Sequence, residues 1–310
     1  MTCTVVRRVL LARGGDLNSN TGLGRAHLAV VSLLEKTLVK DWTKAGIIEH
    51  PVKTQIISRV WNRWYKHPAL VESQTNLSTA DLLHITDQEQ AHLVPKNSSI
   101  PVAVTVHDLF HIKPRNINVE DVSIKVGNAN PNLIRKMDIK KLKNGLQRAD
   151  LLICISESTR QEVKHLFPGK LTALVRHQID VDYWNPDENP QPLDLISEFY
   201  DTKKCLLITV GSNEPRKRLN LVNTIISCLP SEVSNEINVI NIGSEIKLTD
   251  EQLVAAFQYA DALIFPSVSE GFGYPPAEAM AAGCRVLASD SAAHNEIIPV
   301  SYTHLRAHET

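Results

Sequence analysis

The sequence has 310 residues and a formal net charge of −1 at pH 7, with 43% hydrophobic and 22% charged residues. This length suffices for two globular domains, and a charge close to zero gives no indication of nucleic-acid binding. The five cysteines are scattered without a C-x-x-C pair, which argues against a zinc knuckle or a disulfide framework and indicates a reducing cytoplasm.

The first apolar run, in TVVRRVLLA, is too short for a signal peptide and predicts a buried strand. No apolar run approaches the roughly 18 residues of a membrane span. Further runs lack the in/out alternation of a half-exposed strand, which is typical of parallel strands covered on both faces. The predicted strands are 9–12, 56–60, 82–86, 101–108, 151–156, 171–175, 205–212, 237–243, 261–267 and 284–289.

Helical patterns separate these runs. An apolar stripe predicts a helix over 23–38, and a basic helix is predicted over 132–148. Capping boxes predict two further helix starts, one at Ser158 with Gln161 and one at Thr249 with Gln252. Alternation of strands and helices predicts the α/β class with open sheets.

The Pro-, Asp- and Asn-rich stretch 180–195 separates two α/β series and predicts two Rossmann-like lobes with parallel sheets that face a cleft. We assign an N-terminal Rossmann-like domain to 1–180, a linker to 181–200 and a C-terminal Rossmann-like domain to 201–298. Residues 299–310 have no strand or helix period and are predicted to be a non-native tail.

In the first series, Gly22 and Gly24 open the helix after the first strand, where a phosphate or sugar could approach. A complete G-x-G-x-x-G is missing, because the third position is His27, so the pattern does not support NAD binding. His107 lies at the C-terminal end of the strand 101–108, at the edge where site residues gather. His107 with His111 and the D-x-D at 180–182 have metal-binding spacing, but no third ligand accompanies them, and no metal is predicted.

In the second series, Arg216 and Lys217 follow the strand 205–212 and open a helix. Cations at a helix N-terminus oppose the helix dipole, so an anion such as a diphosphate would stabilise them. The alternative is a solvated basic loop.

The segment SEGFGYPPAEAMAAGCRVLASD places Glu270 and Glu278 around a turn with Gly271 and Gly273. The two glycines can adopt positive φ, the Pro-Pro pair suits a first helical turn, and carboxylates accept hydrogen bonds from sugar hydroxyls. The alternative is an ordinary strand-to-helix corner with solvated acids.

Several of these segments together resemble the retaining glycosyltransferases of family 4, also described as glycosyl transferases group 1, which have the two-lobed GT-B fold. FPSVSEGFGYPPAEAMAAGCRVLASD is similar to the E-x7-E signature of that family, and VGSNEPRKRL is similar to its basic turn. VTVHDL, RADLLICISESTRQEV and LVRHQIDVDYWNP resemble first-lobe segments. With gaps, the resemblance covers residues 5–297.

The resemblance implies transfer of a hexose of the mannose or glucose type, with retention and without a metal or other cofactor. The donor would be a nucleoside-diphosphate sugar and the acceptor a glycan or a lipid-linked glycan. The implied roles are ribose binding by Glu278, sugar binding by Glu270, Gly271, Phe272, Gly273 and His107, diphosphate neutralisation by Lys217 and Arg216, and a phosphate and acceptor side at Gly22 and Gly24.

The chain departs from this family at three places. Ser212 stands where many members have Arg, and His177-Gln178 replaces the usual Asn-Gly. About one βα unit and the closing C-terminal helices are missing, which predicts an incomplete second lobe and a truncated, unstable or inactive chain.

Two other functions remain open on the sequence: a degenerate nucleotide-sugar-binding module without turnover, and a GT-B epimerase or phosphorylase. The basic helix at 135–148 could also contact anionic lipid, although a solvated helix face explains the same pattern. The expected location is therefore the cytoplasm, with peripheral membrane contact left open.

Overall fold

The computed structural model describes residues 6–15, 21–50, 56–298 and 304–305. Two compact units divide the chain: unit 1 comprises Met1–Pro114 and Gly127–His177, and unit 2 comprises Arg115–Val126 and Gln178–Thr310. Residues 16–20, which precede Gly22 and Gly24, and most of the predicted tail at 299–310 lie outside the described residues.

The described strands are β1 Arg7–Ala12, β2 Trp42–Ile48, β3 Leu82–Ile85, β4 Val102–Val106, β5 Arg115–Val119, β6 Val122–Val126, β7 Leu151–Cys154, β8 Leu171–Leu174, β9 Cys205–Val210, β10 Ile237–Ile242, β11 Ala262–Phe265, β12 Arg285–Ser289 and β13 His304–Leu305. The α-helices are α1 Gly22–Glu35, α2 Ile56–Trp61, α3 His67–Leu77, α4 Leu133–Arg148, α5 Glu157–Leu166, α6 Val181–Trp184, α7 Leu219–Ser227, α8 Ser231–Ser234, α9 Asp250–Tyr259, α10 Tyr274–Ala281 and α11 Ala292–Ile297.

Unit 1 is built on a parallel sheet with the strand order β2-β1-β3-β4-β7-β8. All five residues of β4 are buried, as expected for a central strand covered on both faces. Because the chain runs from β1 outward to β2 and then returns to β3 on the other side, the strand order reverses between β1 and β3. Open α/β sheets bind ligands beyond the carboxyl ends of the strands at such a switch point.

Unit 2 repeats this arrangement with the parallel order β10-β9-β11-β12-β13. Its switch point lies between β9 and β11. The sheet is covered by a core that includes Phe257 and Phe265, both at most 1% exposed. A separate antiparallel hairpin, β5–β6, also belongs to unit 2 although its sequence lies within the first series.

The predicted α/β class is confirmed, and nine of the ten predicted strands are found within two residues of their predicted ends. The strand predicted at 56–60 is wrong, because this segment forms α2. Helical structure continues from α2 through a π-helix at Asn62–Lys66 into α3. A short apolar run fits a strand or a helix equally well by periodicity, and here the helical sequence that follows it decides.

The two predicted capping boxes differ in outcome. Thr249 and Gln252 form the expected reciprocal pair at the start of α9. The Ser158–Gln161 prediction is wrong, because α5 begins at Glu157 with Ser156 as its N-cap. The Ser156 hydroxyl accepts a hydrogen bond from the Thr159 amide at 3.1 Å, which stabilises the earlier start.

The stretch predicted as a linker, 181–200, forms part of unit 2. It contains α6, and its residues Trp184 and Ile196 are buried in the core of that unit at 5% and 0% exposure. The Trp184 ring packs edge-on against Phe257 with centroids 5.4 Å apart. The contact between Trp184 and Phe257 thereby packs the stretch 181–200 against α9. No helix among the described residues is long and apolar enough to span a membrane.

Candidate functional site

The switch point of unit 2 brings together two loops that the sequence keeps about 50 residues apart. The turn after β9 contains a 3-10 helix at Pro215–Lys217, and the loop after β11 runs from Pro266 to Glu270. Since β9 and β11 are parallel neighbours, both loops leave the same edge of the sheet. Three of the predicted site residues, Arg216, Lys217 and Glu270, meet there.

The carboxylate of Glu270 lies between two cations. Lys217 Nζ is 2.7 Å from Oε1, and Arg216 Nη1 is 2.8 Å from Oε2. These three side chains are only 10–12% exposed, so water screens their interaction weakly. Arg216 also pairs with Glu214 at 2.9 Å. Glu270 therefore lies where an anion would lie, between two adjacent cations.

The pKa values of these groups follow from that arrangement. Burial tends to raise the pKa of the Glu270 carboxyl, but the charges of Lys217 and Arg216 outweigh burial and lower it to about 2. Burial tends to lower the pKa of Arg216, whereas Glu270 and Glu214 raise it above its ordinary value. Glu270 and Arg216 are consequently both ionised throughout the neutral pH range.

Hydrogen bonds fix the two loops to each other. The Val268 amide donates to the Arg216 carbonyl at 2.9 Å, and Arg216 Nη1 donates to the Ser269 carbonyl at 2.8 Å. The fully buried Ser267 hydroxyl donates to Glu270 Oε1 at 2.7 Å. The cations and the carboxylate are thus held in place before any ligand binds.

The helix α10 follows this loop and begins as predicted, with prolines in its first turn. Its N-cap, Gly273, has φ +112°, and a Cβ atom there would lie 2.9 Å from Cδ1 of Ile297. Only glycine satisfies both the left-handed backbone and this close approach. Phe272 is buried, Gly271 is half-buried, and Glu278 in the second turn is 2% exposed.

Ser212 lies in the same turn as the cations but is exposed. Its hydroxyl donates to Glu214 Oε1 at 2.8 Å, and Glu214 in turn pairs with Arg216. In this structure Ser212 therefore contacts the cation cluster through a second carboxylate.

In unit 1, His107 lies directly after β4, as predicted, and is 6% exposed. Its Nε2 is 2.9 Å from the Thr86 carbonyl, which can only accept, so Nε2 carries the proton. Its Nδ1 then accepts from His177 Nε2 at 3.2 Å. Burial lowers the pKa of His107, and burial together with His107 lowers that of His177 to about 3. Both rings are therefore neutral at pH 7.

The glycines after β1 lie at the start of α1. The Thr21 hydroxyl caps this helix by accepting from the Gly24 amide at 3.1 Å. Gly22 is exposed and Gly24 is buried. Four residues farther along the chain from His107, His111 is exposed, and no group of three potential metal ligands occurs within 6–15, 21–50, 56–298 and 304–305.

Sequence reasoning missed Ser267 and Ser269, which shape the loop that carries Glu270, and it missed the pairing of Glu270 with the cations. The serines belong to the quoted motif, but their role depends on contacts with the turn after β9. No spacing rule indicates such a contact between loops about 50 residues apart.

Residues 246–303 match the family model of the glycosyl transferases group 1, and the segment from Phe265 to Asp290 lies within that match. The mannosyltransferase WbdA of Escherichia coli is 25% identical over 179 residues, which are 49% of this chain and 22% of WbdA. The chain thus spans about a fifth of the length of that relative.

Solved structures show the same fold. Sucrose-phosphate synthase from Thermosynechococcus elongatus has a TM-score of 0.67 at 15% identity, covering 97% of this chain and 85% of that one. The Anabaena protein HepE, solved in complex with UDP and glucose, has a TM-score of 0.64 at 13% identity, covering 97% and 86%.

The chain therefore has the GT-B fold, and residues 246–303 in its second unit are similar to the glycosyl transferases group 1. The resemblance of the segment around Glu270 and Glu278 to the glycosyl transferases group 1 is confirmed by this match.

Proposed function

We propose that the chain is a glycosyltransferase that moves a hexose of the mannose or glucose type from a nucleoside-diphosphate sugar to a glycan or lipid-linked acceptor. The observation that carries this proposal is the pair of cations, Arg216 and Lys217, held on one carboxylate at the switch point of unit 2. Two fixed cations beside the start of a helix suit a diphosphate, since charge-assisted hydrogen bonds to phosphate oxygens are strong.

In this proposal Lys217 and Arg216 stabilise the charge that develops on the diphosphate as it leaves. A preorganised donor of this type contributes roughly 10²–10³ in rate. Two basic side chains can supply the positive charge, so the proposed reaction requires no metal or other cofactor. Donor entry would displace the carboxylate of Glu270 from the cations and free its oxygens for hydroxyls of the transferred sugar.

The remaining proposed roles are contacts with other parts of the donor and with the acceptor. Glu278 would bind the ribose, the backbone of Gly271, Phe272 and Gly273 would contact the sugar, and Ser212 would lie beside the diphosphate. His107 would contact the sugar near the reacting carbon, with Gly22 and Gly24 at the phosphate and acceptor side. Retention of configuration would arise from attack on the face from which the diphosphate departs.

The test combines binding and turnover. Thermal shift with uridine, guanosine and adenosine diphosphates and their glucose or mannose conjugates should show stabilisation by at least one. A positive conjugate is then incubated with oligosaccharide acceptors, with and without a metal chelator, and the product's anomeric configuration is read by NMR. Free nucleoside diphosphate as co-product supports transfer, whereas a sugar phosphate would indicate a phosphorylase.

The same experiment separates the enzyme from a nucleotide-sugar-binding fragment without turnover. Lys217→Ala should reduce turnover far more than affinity if Lys217 stabilises the leaving group. A chain that binds a nucleotide sugar but never releases free diphosphate would instead be a binding module.

We further propose that this protein acts in the cytoplasm, in peripheral contact with a membrane that contains anionic lipid, where a lipid-linked acceptor would be found. One face of α4 exposes Leu133 and Met137, at 77% and 52%, and the flanking Lys140 is also exposed. Beside this face of α4, Lys141 Nζ lies 5.2 Å from the centroid of the Tyr65 ring. The centroids of the Tyr65 and Trp61 rings are 4.7 Å apart. Exposed aromatics, apolar side chains and lysines on one surface suit an anionic bilayer interface.

A further inference from the structure

The hairpin β5–β6 is the part of unit 2 that the proposed function leaves without a role. Its strands pair in register from Arg115 with Val126 to Val119 with Val122. Ile124 and Val126 are buried at 5% and 1% exposure, and β6 packs beside the 3-10 turn at Pro215–Lys217. The hairpin therefore lies against the turn that carries the two cations.

Arg115, at the base of this hairpin, contacts the second loop of the site. Its Nη2 donates to the Ser269 hydroxyl at 3.1 Å. The carbonyl of the same Ser269 accepts from Arg216 Nη1 at 2.8 Å. Ser269 is 6% exposed and directly precedes Glu270. Arg115 and Arg216, which are distant in the sequence, thus donate hydrogen bonds to the hydroxyl and the carbonyl of the same buried residue, Ser269.

We infer that Arg115 is a positioning residue of the anion-binding site, acting through Ser269 on the orientation of Arg216 and Glu270. This inference rests on the proposed function, because the anion concerned is the diphosphate of the donor.

Loss of a hydrogen bond to a charged group corresponds to about a tenfold change in affinity or more. Arg115→Ala should therefore raise the Kd for uridine or guanosine diphosphate, measured by titration calorimetry, by about tenfold. Ser269→Ala should raise the Kd to a similar extent. The double variant should have a Kd no higher than that of the weaker-binding single variant, because both substitutions remove the same hydrogen bond between Arg115 and Ser269. Arg115→Lys, which keeps a donor and a charge, should recover part of the affinity.

Lys125→Ala is the matched control, since it removes an exposed cation from the same hairpin and should leave Kd unchanged. The inference is overturned if Arg115→Ala binds within twofold of the unaltered chain, even with a lowered Tm, which would indicate a purely structural role. The inference is also overturned if the effects of Arg115→Ala and Ser269→Ala on the binding free energy add up in the double variant. Additive effects would mean that the charge of Arg115 acts independently of Ser269. If the unaltered chain binds no nucleoside diphosphate and no inorganic pyrophosphate, the proposed function itself fails.

Discussion

Lys217 Nζ lies 2.7 Å from Oε1 of Glu270, and this ion pair is the central relationship of the candidate site. Arg216 completes it from the other oxygen at 2.8 Å. In the proposed function, the diphosphate of the donor would therefore compete with the Glu270 carboxylate for the same cations.

Glu270→Gln should tighten the binding of nucleoside diphosphate while lowering sugar transfer. Removal of the competing charge leaves Lys217 and Arg216 available to the phosphates, and at the effective dielectric of such sites the gain should be about tenfold in Kd. Transfer should fall because the amide loses the charged acceptor for the sugar hydroxyls. Calorimetry and a transfer assay measure the two effects separately.

Glu232→Gln is the control for this experiment, since Glu232 is exposed in α8. Weaker binding of nucleoside diphosphate to Glu270→Gln would contradict the competition between the carboxylate and the diphosphate.

Glu270 should also make the stability of the protein sensitive to acid. Its pKa is about 2 in the folded protein against 4.5 ordinarily, so its contribution is present above pH 4.5 and is lost as the pH falls toward 2. The full difference corresponds to about 3 kcal/mol. Between pH 5 and pH 3, denaturant unfolding of Glu270→Gln should therefore show a smaller decline than the unaltered chain. Equal declines would refute the low pKa.

The sheets could be predicted from sequence because buried parallel strands are continuous apolar runs, as in β4 and β9. The hairpin β5–β6 was missed because half-buried and exposed residues alternate in β5 and an exposed residue separates the two buried ones in β6, a pattern unlike the continuous apolar runs used to predict strands. The sequence of β2 shows neither a continuous apolar run nor a clear alternation, because Lys44 interrupts it and most of its residues are half-buried.

Within the site, the residue types and their loops were predictable, but their partners were not. Arg216 and Lys217 needed an anion on electrostatic grounds, and the sequence suggested a diphosphate. In the structure the carboxylate of Glu270 is the anion that lies on these cations. Such a pairing depends on which strands are neighbours, and the order β9 next to β11 is a property of the folded sheet.

His177 should lower the stability of the protein in mild acid. Because its pKa is about 3 when folded and 6.5 ordinarily, the neutral ring favours folding above pH 6.5, and this contribution is lost as the pH falls. At pH 5 the loss should be about 2 kcal/mol. His177→Asn keeps a neutral donor for His107 and should reduce the decline in unfolding free energy between pH 7 and pH 5. An unchanged decline would show that His177 does not titrate in this way.

Gly273→Ala should destabilise the protein more than Gly283→Ala. Both glycines have positive φ, at +112° and +77°, which disfavours alanine by roughly 1–2 kcal/mol. At Gly273 the new Cβ would also lie 2.9 Å from Cδ1 of Ile297, whereas at Gly283 nothing lies within 4 Å. The difference in Tm between the two variants isolates the contact. Equal losses would mean that Ile297 moves aside without penalty.

The lysines of α4 should control membrane contact. In co-sedimentation with vesicles, the chain should bind those that contain phosphatidylglycerol and not those of phosphatidylcholine alone. Changing Lys136 and Lys140, both exposed, to Gln should weaken binding by roughly tenfold or more, since each cation near an anionic surface contributes about 1 kcal/mol.

Changing Lys203 and Lys247 to Gln alters the net charge equally but leaves α4 intact, and this control should bind as before. Met137→Asp should abolish binding by placing a carboxylate on the apolar face beside Leu133. Equal weakening by both lysine pairs would mean that overall charge, and not the α4 surface, attracts the protein to the lipid.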